Sequence, residues 1–258
     1  MNFAVLDLET NGFKGKSVVS ASSIVFDEDG KILDFFNRYY FPSEKPDGGA
    51  IKVHGLTPSR ISLLRRGSSY PEYFADDCHS LSLFWEYCRV DGITVHNLGF
   101  DSSFLPQSSK KRWKWWCSMI GLTDFCRIPG RRGRYKWPKL DEAKKIMLSA
   151  FSGSEDTEKA EREISGQICH NSLSDCFDLY SIFIRVWQNR PDLVKFRPVR
   201  DTFVKAAEWS PMEWRPECGA DDHVRSFLQY SLSIARIAGL HKKEAHILSR
   251  MEDLFPES

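Results

Sequence analysis

The chain has 258 residues, long enough for one large domain or for a domain with an appendage. Apolar residues make up 41% and charged residues 28%, which excludes an intrinsically disordered polymer. Lys plus Arg number 36 against 35 for Asp plus Glu, so net charge points to no partner and only its distribution is informative.

In chain order, Asn2–Leu8 is apolar and reads as a strand that ends in the acidic D-L-E. Ser17–Phe26 and Lys31–Phe41 are rich in Val, Ile, Phe and Tyr, and D-E-D-G between them predicts a hairpin. A loop with Pro42, Pro46, Gly48 and Gly49 leads into I-K-V-H-G-L-T-P-S. Apolar spacing predicts a helix over Tyr73–Cys88, and a short buried strand follows at Ile93–His96. G-F-D-S-S-F-L opens another helix, and Leu140–Phe151 and Leu173–Trp187 read as two more. Strands first, then alternation with helices, is the order of an α/β layer fold. Beyond Pro191 the prolines at 191, 198, 211 and 216 interrupt the pattern, before helices predicted at Asp222–Ala238 and Lys242–Leu254. The expected division is a domain over 1–189 and a helical C-terminal extension over 190–258, too short for an ample core of its own. Seven cysteines without a C-x-x-C pair argue against a zinc ribbon or a disulfide scaffold and fit a reducing, cytoplasmic setting. No apolar run approaches the roughly 18–20 residues of a membrane span, and Asp7 and Glu9 come too early for a signal peptide.

Four carboxylates at three stations carry the chemistry. Asp7 and Glu9 lie two residues apart on a strand, so their side chains share one face. Converging carboxylates repel unless a cation neutralises them, and hard oxygen ligands suit Mg²⁺ or Mn²⁺. Asp101, in V-H-N-L-G-F-D-S-S-F-L, follows a strand and opens a helix, where a plain N-cap role is the alternative. In H-N-S-L-S-D, a helix starting near Asn171 turns Asp175 inward and leaves His170 at the helix entrance. A histidine with an ordinary pKa of about 6.5 suits a general base near neutrality. His54 and His96 read as structural.

Taken together, V-L-D-L-E-T-N-G, H-N-L-G-F-D and H-N-S-L-S-D resemble the three motifs of the DEDDh (DnaQ-like, proofreading-type) 3′→5′ exonucleases. I-K-V-H-G-L-T at 51–57 and K-W-P-K-L-D-E-A at 136–143 are similar to further segments of that family, and the resemblance covers roughly residues 2 to 187. It implies a ribonuclease-H-like mixed sheet of five strands with helices on both faces. It also implies two divalent ions held by Asp7, Glu9, Asp101 and Asp175, with His170 as general base. Leu8, Thr10, Asn11, Asn97 and Phe100 would then contact the terminal nucleotide. Thr10-Asn11-Gly12 departs from the Thr-Thr-Gly or Thr-Gly of many members, a change that spares the metal ligands.

From Ser108 to Lys139 ten basic residues face one acid, Asp124, and tryptophans and a tyrosine are interleaved with them. Cations neutralise phosphates and aromatic faces stack on bases, so this stretch suits single-stranded nucleic acid. Arg131, Arg132 and Arg134 in G-R-R-G-R are the expected substrate contacts, whereas Trp137 is expected to anchor the loop in the core. The acidic run 154–163 reads as an exposed helix or loop. The expected activity is exonucleolytic, with DNA favoured over RNA as partner and single-stranded or frayed 3′ ends as substrate. An exoribonuclease of the same fold and a non-catalytic nucleic-acid-binding module are the alternatives, as is an adaptor docking a protein partner or a second copy through 190–258.

Overall fold

The computed structural model describes residues 1–13, 17–164, 167, 171–199 and 221–256. Strand β1 (Asn2–Thr10) pairs antiparallel with β2 (Val18–Asp27), which pairs antiparallel with β3 (Ile32–Tyr39). The turn between β2 and β3 closes on Asp27, whose Oδ1 accepts from the backbone N–H of Asp29 (3.1 Å) and of Lys31 (2.9 Å). Gly30 completes it at φ +96°, a conformation that side chains strain.

Helices α1 (Gly48–His54), α2 (Pro58–Leu64) and α3 (Phe74–Tyr87) then lead to β4 (Gly92–Val95), which lies parallel to β1. The helix expected at G-F-D-S-S-F-L is shorter than its pattern. Only α4 (Leu98–Asp101) and a 3₁₀ turn over Ser102–Phe104 form, because Leu105 precedes Pro106 and is held extended. After α5 (Gln107–Arg112) comes β5 (Lys114–Cys117), parallel to β4 and absent from the sequence reading. Its two tryptophans are buried on opposite faces, Trp115 with the α3 side and Trp116 with the other, so no alternation was visible.

Small helices α6 (Ser118–Gly121) and α7 (Thr123–Cys126) precede α8 (Leu140–Ala150), α9 (Glu155–Ile164) and α10 (Ser172–Asn189). The acidic run is the helix α9, but it is not merely solvated. Thr157, Ala160 and Ile164 are buried, and Glu161 takes a bidentate ion pair from the buried Arg185 at 2.7 and 2.9 Å. β6 (Arg197–Pro198), two residues long, joins β5 at the sheet edge. The sheet therefore has six strands in the order β3-β2-β1-β4-β5-β6 rather than the five expected.

Alternation along β1 sorts the core. Phe3 and Val5 pack with α10, while Ala4, Leu6 and Leu8 pack with Trp85 of α3. Helix α11 (Asp222–Ile237) buries Val224, Phe227, Leu228 and Ile234, and α12 (His241–Leu254) buries Ile247, in the same core as Phe3 and Val5. Arg60 Nε donates to Asp221 Oδ2 at 2.6 Å, and Asn37 Nδ2 to Ser231 Oγ at 3.0 Å, fixing α11 to α2 and β3. The five cysteines among the described residues are free thiols. Among the described residues no helix is long and apolar enough to cross a membrane.

Candidate active site

Asp7 and Glu9 continue the odd-numbered positions of β1, so they emerge on the face that α10 covers. Their register partners on β2 are Ser22 and Ser20. Both serine hydroxyls meet the hydroxyl of Ser172, the first residue of α10, at 2.7 and 2.6 Å in a fully buried cluster. Cys176 adds a thiol hydrogen bond to the Ser22 carbonyl at 3.0 Å. Asn171 caps the helix, its Oδ1 accepting from the N–H of Ser174 at 2.9 Å. These contacts seat the first turn of α10 against β2, which delivers Asp175 to the two acids of β1. One carboxylate oxygen from each of Asp7, Glu9 and Asp175 lies within 4.8 Å of the other two.

Asp101, at the end of α4, is the buried member of the set. Burial pushes its carboxyl up to about 8, and backbone hydrogen bonds at Asp101, Asn97 and Leu8 pull the other way. Burial also holds Glu9 up at about 8 and Asp7 well above the usual carboxylate range. For both, the negative charges of Asp175 and Asp101 add to burial, and for Asp7 so does Glu9. The side chains of Asp7 and Glu9 remain partly open to solvent. Neither has a Lys or Arg partner among the described residues. Carboxylates packed this closely, all offering oxygen, fit a divalent cation of the Mg²⁺ or Mn²⁺ type.

The other expected site residues fall into separate groups. His170 lies outside the described residues. Leu8 is buried in the α3-side core, and Thr10 is buried with its hydroxyl 3.5 Å from the Gly12 carbonyl. Asn11 is buried too and has its amide engaged. Its Nδ2 donates to Glu44 Oε1 (3.1 Å) and the Lys45 carbonyl (3.0 Å), while its Oδ1 accepts from Asp47 N (2.7 Å). Asn97 is exposed. Phe100 stands edge-on to Phe104 at 5.3 Å and to Phe13 at 6.3 Å. Phe13, 90% exposed and four residues past Glu9, is the aromatic that sequence reasoning overlooked. Its only signal is its place in the loop after β1, opposite the residue that precedes Asp101.

The basic stretch is sorted by burial in a way composition did not reveal. Lys110 is fully buried, Arg112 pairs with Glu86 at 3.0 Å and Lys136 with Glu142 at 2.6 Å. Trp113, Trp115 and Trp116 belong to the core. Trp137, expected as the core anchor, is instead 63% exposed, and Tyr135 is exposed beside it. Arg131, Arg132 and Arg134 are exposed, with no ion pair among the described residues. Their loop is braced as a small hairpin: Gly130 N donates to Arg134 O at 2.9 Å and Lys136 N to Ile128 O at 3.0 Å. His96, at the end of β4, spans from the Ser118 hydroxyl (2.9 Å) to the Pro138 carbonyl (3.0 Å) and ties that hairpin to the strand leading to Asp101. Burial lowers the pKa of His96, and that of His54 to about 4, so both serve as neutral hydrogen-bonding groups. His54 Nδ1 accepts from Leu56 N at 3.0 Å.

No family model matches the sequence. No curated protein matches it either. Among solved structures, Exonuclease X in complex with 5′-overhanging duplex DNA superposes with a TM-score of 0.50 at 18% identity, over 73% of this chain and 93% of that one. E. coli Exonuclease I in complex with a dA16 oligonucleotide gives 0.47 at 15% identity, over 74% of this chain but only 42% of the other. The helix-flanked mixed sheet that carries the acidic cluster is thus a fold shared with Exonuclease X.

Proposed function

We propose that the chain is a metal-dependent 3′→5′ exonuclease of the DEDDh type, with DNA favoured over RNA and single-stranded or frayed 3′ ends as its substrate. The observation that carries this reading is the convergence of Asp7, Glu9 and Asp175 from two separate elements, with Asp101 buried behind them. The four carboxylates would hold two Mg²⁺ or Mn²⁺ ions. Bound there, such ions supply positive charge to a phosphodiester that otherwise repels its nucleophile.

The chain's own groups do the rest. His170, one residue before the cap of α10, takes the proton of the attacking water, and the departing strand leaves with a free 3′-hydroxyl. The released product is a nucleoside 5′-monophosphate. Phe13 and Phe100, which meet edge to face, offer apolar surface to the terminal nucleotide. Arg131, Arg132 and Arg134 hold phosphates upstream of it, with Trp137 and Tyr135 available for base stacking. Asn11 positions the loop over Glu44–Asp47 and acts on substrate only through that loop. Residues 1–189 form the catalytic unit in this reading, and α11 and α12 of the extension brace it by sharing its core.

Purified wild-type protein with Mg²⁺ should degrade a single-stranded oligonucleotide, and EDTA should stop it. Asp175→Ala should abolish cleavage, whereas His170→Ala should slow it strongly while leaving metal binding in place. Wild-type rates from either variant would refute the assignment.

A further inference from the structure

A cavity of about 670 Å³ opens on the far side of β3 from β1, between that edge strand, α3, the Gly67–Tyr70 loop and α12. Two strand spacings, roughly 10 Å, and the width of β3 itself separate it from the acidic cluster on β1. Its size falls in the range of small-molecule sites, about 300–1,000 Å³. The lining is aromatic and cationic and contains no aspartate or glutamate.

Two of its basic side chains already have an acidic partner. Arg38 is held by Asp77 at 2.6 and 2.8 Å, and Lys243 by Asp34 at 2.5 Å. Three do not. Lys242, His246 and Arg250 have no acidic partner among the described residues, and they recur every four residues along one face of α12. They therefore form a ridge of about 12 Å. Arg250 is the most enclosed of the three. One guanidinium nitrogen donates to the Leu64 carbonyl, but its Nε is buried and without a hydrogen-bond acceptor among the described residues. That Nε is closed off from solvent and therefore from the cavity, so Arg250 acts on a ligand there through its charge. Phe84 and Tyr87 of α3 also line the cavity, the latter 84% exposed, while the Tyr70 ring is already packed against the guanidinium groups of Arg38 (4.8 Å) and Arg65 (4.4 Å).

We propose that this cavity is a second nucleotide-binding site, which seats a nucleobase against Phe84 and Tyr87 and its phosphate on Arg250, His246 and Lys242. An anion and a planar ring on one ligand match the two halves of the lining, and the length of the ridge accommodates more than one phosphate. The ligand comes either from a free nucleoside monophosphate or from an upstream stretch of a polynucleotide whose 3′ end lies elsewhere. The inference rests on the nuclease reading for the supply of such ligands, not for the site's chemistry.

The test is binding by isothermal titration to full-length protein carrying Asp175→Asn, in EDTA, so that neither cleavage nor metal-bridged binding contributes. The probes are AMP, a 5′-phosphorylated hexanucleotide, adenosine and inorganic phosphate. AMP or the hexanucleotide should bind at least tenfold more tightly than adenosine or phosphate, and whichever is tighter identifies the source. Lys242→Glu with His246→Glu, both at exposed positions, should weaken that binding at least tenfold, and Arg250→Gln should do the same. Unchanged affinity in the α12 double variant, or binding no tighter than that of inorganic phosphate, would overturn the proposal. Metal-dependent cleavage by the wild-type protein is scored separately. Cleavage without this binding discards only the second site, and binding without cleavage discards only the nuclease reading.

Discussion

Asp7→Asn tests the acidic cluster through stability rather than turnover. The substitution keeps the shape of the side chain and removes one of three charges whose oxygens lie within 4.8 Å of one another. Two full charges at that distance, with an effective dielectric constant near 20, repel by about 3.5 kcal/mol. Burial and mutual repulsion raise both carboxyls, Glu9 to about 8, so less than the full repulsion is relieved. A gain of about 1–3 kcal/mol in the metal-free protein is expected, at roughly 2–4 °C of Tm per kcal/mol for a chain of this size.

The sign with pH follows from the raised carboxyls. Between about pH 4.5 and pH 8 the native state keeps protons on Glu9 and Asp101 that the unfolded chain has released, so metal-free stability falls as pH rises through that window. Mg²⁺ should abolish this slope in the wild type and stabilise it. Asp7→Asn should start higher in EDTA and gain little from Mg²⁺. Thermal unfolding at pH 5, 6.5 and 8, with EDTA or with Mg²⁺, reads all of this. A variant less stable than the wild type in EDTA at pH 8, or an equal Mg²⁺ shift in both proteins, would refute the reasoning.

Three other substitutions probe the parts around the acids. Ser172→Ala removes the hydroxyl shared by Ser20 and Ser22 in a buried cluster, and should cost about 1–3 kcal/mol in urea unfolding and slow cleavage by loosening the start of α10. A stability loss below about 0.5 kcal/mol would show that the cluster does not seat the helix. Replacing Arg131, Arg132 and Arg134 together by alanine should weaken single-stranded nucleic-acid binding and flatten its salt dependence by a slope of about 2. An unchanged salt slope would remove these residues from the substrate path. Trp137→Ala should lose about 1–3 kcal/mol of affinity for a single strand while leaving the unfolding midpoint nearly unchanged, because the ring is exposed. A large loss of stability would instead return Trp137 to the core role read from its sequence context.

Much of this architecture was legible before the structure because it is written in local patterns. The D-E-D-G turn, the odd–even alternation of β1 and the four-residue rhythm of α10 are each set by a single element's own residues. The closeness of Asp7, Glu9 and Asp175 was legible only through the combination of motifs, since the contact is made by Ser172 against Ser20 and Ser22, some 150 positions apart. β5 was invisible because a strand buried on both faces shows no alternation, and its lysine neighbours disguised it as surface. Trp137, read as a core anchor from its sequence context, is exposed, while Lys110 within the basic stretch is fully buried. Charge and aromatic content along a segment do not report which side chains the tertiary fold covers. The cavity beside α12 depends on residues from β3, α2, α3 and α12, so no single segment carried its signature.

The central claim is that the acidic cluster removes nucleotides from 3′ ends. The measurement that meets it most directly is a time course on single-stranded DNA and matched RNA, each labelled at the 5′ end, with Mg²⁺, alongside EDTA and Asp175→Ala controls. The account predicts a metal-dependent ladder of 5′-labelled products that shortens one nucleotide at a time, is faster on DNA and is absent from both controls. Immediate release of a labelled mononucleotide, or a ladder that persists in Asp175→Ala, would contradict it.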